Sequence, residues 1–363
     1  MKKHTFFARV ILAVAIAAAF HTAAPLGAAP PTWVNITGNL ANMPSECGNL
    51  TMLSPSPASA AVLAGVALKG LWSNSSGTTW TQLGTGSGSD AIINRPSWIV
   101  YDPLDPNVFW ESGIYSGGGI YRTTDGGNTF RRLGSISHND YVSVDFTDPN
   151  RQTLLAGGHE APQTVYKSTN GGQTWTNAGS TLPAGTKFSS NPLALSGLTY
   201  VVNAQGWAGT TAGMFRTTDG GATWMQVSTQ EPYAPPLVTS SGAIYWASGG
   251  GLLKSTDAGV TWTRVGNNLA TIHPIELPDG RLATFSGNSI VASADGGSTW
   301  SPLGASLPYQ PAGLVYSPQR QAFFIWRWDC GNVVPADAIM QMDFAIAGSG
   351  PVPPTNLRIV RSE

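Results

Sequence analysis

The chain has 363 residues, of which 11% are charged, and its formal net charge is −1. That balance leaves no basic stripe for nucleic acid and no polybasic patch for an anionic membrane surface. A surface made mostly of Ser, Thr, Asn, Gly and aromatic side chains suits neutral glycans or proteins, and the 43 glycines and 26 prolines point to many tight turns.

Lys2 and Lys3 precede an apolar run from Val10 to Phe20 and small residues around Ala23, Ala24 and Gly27 to Ala29. This reads as a secretory signal over residues 1–29, too short for a membrane anchor, so a secreted protein (extracellular or periplasmic) is expected. PTWVNITG (Pro31 to Gly38) then has the form of one strand. Beyond it a single phrase is written six times: WSNSSGTTW (Trp72 to Trp80, degenerate), RTTDGGNTF (Arg122 to Phe130), KSTNGGQTW (Lys167 to Trp175), RTTDGGATW (Arg216 to Trp224), KSTDAGVTW (Lys254 to Trp262) and ASADGGSTW (Ala292 to Trp300). Recurrence at roughly 38 to 50 residues marks a radial repeat fold.

Each phrase predicts a hairpin turn, because an Asp side chain binds nearby backbone N–H groups and Gly supplies the positive φ of the reversal. Asp125, Asn170, Asp219, Asp257 and Asp295 are therefore structural, since turns spread around a ring cannot converge on one substrate. Two apolar stretches lie ahead of each turn, such as PSWIVYDP and NVFWESG, or DYVSVDF and QTLLAGG. With the strands entering and leaving the turn they make four short antiparallel strands per repeat, a propeller blade. The blades are expected near 47–85, 93–134, 139–180, 188–229, 234–266 and 272–305.

From Pro311 the chain supplies three more strands (GLVYSP, AFFIWRW, AIMQMDF) but none beginning Thr-Trp. The missing strand is PTWVNITG at the other end, which matches TWTQLG, TWTNAG, TWTRVG and TWSPLG. The reading is an all-β, seven-bladed β-propeller over 30–347, closed by the N-terminal strand joining the last blade, with a Pro-containing tail at 348–363. Cys47 and Cys330 fall in loops of neighbouring blades on one rim, and a disulfide between them is expected.

Function is expected on the rim opposite the repeated turns, at the channel mouth. Aligning blades two and three on their DPN turns superposes Arg95 on His138 and Trp98 on Tyr141. The stretch His138 to Tyr141 and the pair His159-Glu160 form the densest group of proton-transferring side chains. Arg95, His138, Asp140, Tyr141 and Glu160 are the candidate catalytic residues, serving as general acid and base or as a carboxylate pair. His159, Tyr115, Trp207, Trp246, Arg327 and Trp328 are the candidate substrate-binding residues, the aromatics by stacking on sugar rings.

The shared core, Ser/Thr-x-Asp-x-Gly-x-Thr-aromatic, resembles the Asp-box or BNR repeat. Propellers with that repeat include sialidases, xyloglucanase-type glycoside hydrolases, sortilin-type receptor domains and photosystem-assembly factors. A sialidase would bring an arginine triad, an Asp acid and a Tyr-Glu pair. Only Arg95-Pro96 is similar to its early Arg-Ile-Pro motif, and Arg122, Arg216 and Arg281 lie on the wrong side. YDPLDPN and VDFTDPN look like the xyloglucanase type, which uses two propellers where one is read here. The resemblance implies a polysaccharide-acting enzyme, glycoside hydrolase-like or a lyase, with an extracellular polysaccharide or oligosaccharide as ligand. The alternative is a non-catalytic propeller that binds a glycan or a protein partner. No metal or cofactor, no nucleic acid and no membrane partner are called for, and a monomer is expected.

Overall fold

The computed structural model describes residues 31–346. The expected signal over 1–29 and the tail over 348–363 lie outside them. The described residues form seven four-stranded sheets, and in each the strands run in up-and-down antiparallel order from the channel outward. Blade three is typical, with Asn139–Val144 innermost, then Leu154–Gly158, Val165–Ser168 and Thr176–Asn177.

The amino-acid pattern follows from stacking sheets face to face. Four of the seven second strands, Val62–Val66, Leu154–Gly158, Ile244–Ser248 and Ala322–Trp326, are buried along their whole length, and the other three at all but one end residue. Outermost strands such as Thr81–Gln82 and Arg131–Arg132 are exposed and polar. Seven apolar clusters result, each shared by two adjacent blades; Met52 and Leu63 of the first blade meet Ile99 and Phe109 of the second, for example. The seventh joins Leu50 and Val62 of the first blade to Phe324 and Ile339 of the last, so the stack is a closed ring. Each large side chain so buried contributes about 1.5–3 kcal/mol.

The repeated turns are held by their own side chains. Thr123 Oγ1 donates to Asp125 Oδ1 (2.7 Å) and accepts from Gly127 N (3.0 Å), while Thr129 donates from N to Oδ1 (2.9 Å) and from Oγ1 to Oδ2 (2.7 Å). Bonds from Thr129 hold the Asp125 carboxyl down at about 2, and those from Thr299 and Ser293 do the same for Asp295. Gly126 and Gly127 take φ of +70° and +93°, which side-chain-bearing residues rarely adopt. The same pattern recurs at Asp219 and Asp257. At Asn170 the amide donates to Thr174 Oγ1 (2.8 Å), reversing one bond without losing it. In the degenerate copy the turn is held by Asn74, whose Nδ2 donates to the carbonyls of Ser76, Gly77 and Thr79. The tryptophan that ends a phrase donates back one blade at Trp175, to Leu133 O (3.1 Å), and at Trp224, to Ala178 O (2.9 Å), and into its own turn at Trp262, to Gly259 O (3.1 Å), and at Trp300, to Gly297 O (2.9 Å).

The seam is where the chain ends meet. Trp33–Asn35 pairs antiparallel with Ile339–Asp343 as the outermost strand of the last blade. Trp80 then welds this strand to the first blade by donating Nε1 to Ile36 O (2.9 Å). On the opposite rim from the repeated turns, the disulfide Cys47–Cys330 spans 283 residues of sequence. Around it Ser45 N donates to Asn332 O (2.8 Å), Gly48 N to Asp329 O (3.1 Å) and Asn49 Nδ2 to Val333 O (2.6 Å).

Candidate active site

On that second rim, four loops of blades two to four come together. The loop after Phe109–Ile114 brings Tyr115, the start of blade three brings His138 and Asp140, the loop after Leu154–Gly158 brings His159 and Glu160, and the loop after Thr199–Ala204 brings Trp207. A register break between Asn139 and Val142 releases Asp140 from regular pairing, and His159 N anchors on His138 O (2.6 Å). Tyr115, His138 and Glu160 have φ of +55°, +57° and +47°. Left-handed backbone at three non-glycine residues in one place is strain of the kind that gathers at functional sites.

His159 is the hub. Its Nδ1 is 2.8 Å from Asp140 Oδ1 and its Nε2 is 2.8 Å from the Tyr115 hydroxyl, while Glu160 Oε1 lies 4.0 Å from Nε2. Burial opposes the charged imidazole, but the hydrogen bond and charge of Asp140, with the charge of Glu160, outweigh it and hold the pKa above the ordinary histidine value. The Arg95 guanidinium covers the Tyr115 ring at 4.7 Å from its centroid, and the His138 ring stands edge-on to Tyr115 at 5.6 Å.

Asp140, His159, Glu160 and Trp207 line one pocket of about 330 Å³, completed by Ser97, Ser190, Asn191 and Gln205. Glu160 is its most open acid, with its side chain 48% exposed against 23% for Asp140. Trp207 is 78% exposed and rests edge-on against Phe188 (5.0 Å). Its loop is tied down through Gly206 N, which donates to Glu231 Oε1 (2.8 Å). The pocket shares Ser97, Ala234 and Pro235 with the central cavity of about 530 Å³, where burial pushes His273 down to about 4. Among the described residues no group of three or more His, Cys, Asp or Glu is arranged to hold a metal ion.

Several expected site residues sit elsewhere. Tyr141 is 5% exposed and packs against Trp98, and burial pushes its phenol well up, so it stays protonated and is no base. Trp246 is fully buried, because its strand is the second of its blade, and its Nε1 donates to Ala234 O (2.7 Å); it cannot stack on a ligand. Arg327 pairs with Asp337 and covers Tyr309, and exposed Trp328 belongs to the same loop of the last blade. That loop is not among the lining of the His159 pocket. His138 is exposed beside the cluster, whereas His159, expected only to bind substrate, is its centre. Tyr115, expected to stack on sugar, has one ring face taken by Arg95 and its hydroxyl on His159. Sequence reasoning had no signal for Gln205, Asn191 and Ser97; only the polar run flanking Trp207 (Asn203 to Gly206) marked that loop.

An Asp-His-Tyr chain can move a proton. With Asp140 ionised and the ring neutral, Nδ1 donates to Asp140 and Nε2 accepts from Tyr115, which prepares the phenolic oxygen as base or nucleophile. With the ring charged, both nitrogens donate and the same group is an acid.

No protein-family model matches the chain. A xyloglucanase of Paenibacillus sp. is 26% identical over 182 residues, which is 40% of this chain and 18% of that enzyme. A GH74 enzyme of Niastella koreensis superposes with a TM-score of 0.57 at 17% identity, covering 85% of this chain and 54% of the other. YCF48 bound to D1 peptide superposes with a TM-score of 0.53 at 16% identity, covering 90% of this chain and 99% of the other. The chain thus spans only part of the xyloglucanase and of the GH74 enzyme and nearly all of the YCF48 chain. These likenesses show the β-propeller architecture.

Proposed function

We propose that the protein is a secreted polysaccharide-cleaving enzyme built on an Asp-box propeller, working as a monomer at the channel mouth opposite the repeated turns. The observation that carries this reading is the His159 imidazole held on both nitrogens, by Asp140 and by the Tyr115 hydroxyl, at the edge of an open pocket. In hydrolysis Glu160, in its protonated form, gives its proton to the glycosidic oxygen as the bond to the anomeric carbon breaks, while Tyr115, whose proton passes to His159 Nε2, takes a proton from the water that attacks that carbon. Trp207 offers a flat face to the sugar. Residues 1–29 serve as the export signal, and the Cys47–Cys330 disulfide fits an oxidising compartment. The bonding of Asp125 and its counterparts supports membership of the Asp-box group.

Purified protein should release reducing ends from at least one plant, algal or bacterial polysaccharide. Ultraviolet absorbance of unsaturated products instead of simple reducing ends would reassign the reaction as elimination. A second reading, a propeller that only binds a glycan or peptide, is favoured by the coverage of nearly the whole YCF48 chain. Tight binding without turnover across a broad panel would establish it and retire the enzyme.

A further inference from the structure

We propose that Glu46 is a positioning residue for the Tyr115–His159 pair: fixed by the ring seam, it holds the Arg95 guanidinium over the Tyr115 ring. The inference rests on reading that pair as the catalytic one. Glu46 precedes Cys47, and its backbone is clamped to the last blade by the disulfide and by the flanking bonds from Ser45, Gly48 and Asn49. Its Oε1 is 3.3 Å from Arg95 Nη2, with side chains 31% and 17% exposed. Arg95 Nε and Glu46 Oε1 are both buried with no hydrogen-bond partner, so what faces the guanidinium is the charge of Glu46 on one side and the Tyr115 ring on the other. Gly48 makes the passage possible, because a Cβ there would lie 3.1 Å from Arg95 Nη1.

The consequence is electrostatic. The groups facing His159 are Asp140, Glu160 and Tyr115, with Arg95 behind Tyr115, and those facing Arg95 are Glu46 and Tyr115. The Arg95 charge disfavours a charged imidazole at His159, biasing the pair toward the state in which Nε2 accepts from the Tyr115 hydroxyl. An unpaired arginine side chain would leave that place for many solvent-facing rotamers. The seam that closes the ring therefore also sets the site, two blades away from where His159 is anchored.

The test is a proton NMR titration of His159, assigned by its loss in His159→Gln, on the full chain with Glu46→Gln and Arg95→Gln. Both variants should raise the His159 midpoint by about half a pH unit, since a positive neighbour departs. On any polysaccharide that is cleaved, Glu46→Gln should lower kcat about tenfold and leave KM within about twofold, because Glu46 does not touch substrate, and Glu46→Asp should restore part of it. A midpoint in Glu46→Gln that stays put or falls means the guanidinium does not depend on Glu46 and overturns the proposal. Gly48→Ala, which pushes on Arg95 directly, should shift the midpoint the same way if Glu46→Gln does not fold. Cys47→Ser with Cys330→Ser should reproduce the shift; a wild-type midpoint in that folded protein refutes the role of the seam. A shift in a protein that cleaves nothing would sink the proposed enzyme and leave the positioning, whereas cleavage with no shift would do the reverse.

Discussion

Replacing both Cys47 and Cys330 by Ala should weaken the propeller through its unfolded state. The bond joins residues 283 apart in sequence. The chain-entropy relation for a loop of that length gives about 5–6 kcal/mol at 25 °C, and measured bonds usually deliver less, so a loss of about 2–5 kcal/mol is expected. The ring would stay closed, because Trp33–Asn35 stays paired with the last blade and Ile36, Leu40 and Trp80 stay buried between the first and last blades, while the segment around Glu46 loses its covalent clamp. Urea unfolding followed by tryptophan fluorescence reads the outcome. A loss of about 3 kcal/mol at a slope near 3 kcal/mol/M would move the midpoint down by about 1 M, with the slope equal or steeper because the released unfolded chain exposes more surface. An unaltered midpoint in the variant would refute the argument, since the bond would then not restrict the unfolded chain. A reduced slope would refute the assumption that the ring opens as one unit and would point to fraying at the seam.

His159→Gln should lower kcat by about 10²–10⁴-fold with little change in melting temperature; equal loss of fold would make His159 structural. Because its pKa in the fold lies above the ordinary value of 6.5, its contribution to stability is present below that pH and is lost as pH rises through the folded value. The wild-type melting temperature should therefore fall more than that of His159→Gln as pH rises from about 6.5 toward 8, and parallel curves would contradict this. If its exposed ring stacks on sugar as proposed, Trp207→Ala should raise KM about tenfold with kcat within about twofold, with only its edge contact to Phe188 lost from the fold; unchanged KM would remove it from the site. Thr123→Val keeps the shape of a buried residue but removes its hydroxyl from Asp125 and Gly127, and should cost about 1–3 kcal/mol in urea unfolding. A neutral result would mean that the carboxylate alone holds the turn.

The ring could be read from the chain because its determinants are local. Asp125 binds partners two and four residues away, so the turn is written within one phrase, and the strands entering and leaving it must be neighbours. The closing strand was legible for the same reason, since Pro31 to Gly38 repeats the text that follows each turn, and it has one vacant place to go. The site obeys different physics. Tyr115 and His159 are 44 residues apart, and their bond depends on how closely the loops of two blades approach. Strand order put both on the rim opposite the repeated turns, yet the polar stretch His138 to Tyr141 drew attention to His138, which is exposed, while His159 takes the part-buried hydrogen bonds.

Aromatic residues show where pattern reading must fail. Trp207 and Trp246 are alike in a sequence of turns and short strands, but one is 78% exposed and the other fully buried. The difference is position within the blade. Trp246 lies on a second strand, where both faces of the sheet are covered by neighbouring blades, so either direction of its side chain leads inward. Trp207 follows Gly206, whose φ of +102° turns the chain out of the sheet. In a ring of stacked sheets, alternation along a second strand no longer separates inside from outside. Functional aromatics are to be sought only where a strand has ended, and Tyr115, one residue past its strand, satisfies the same rule.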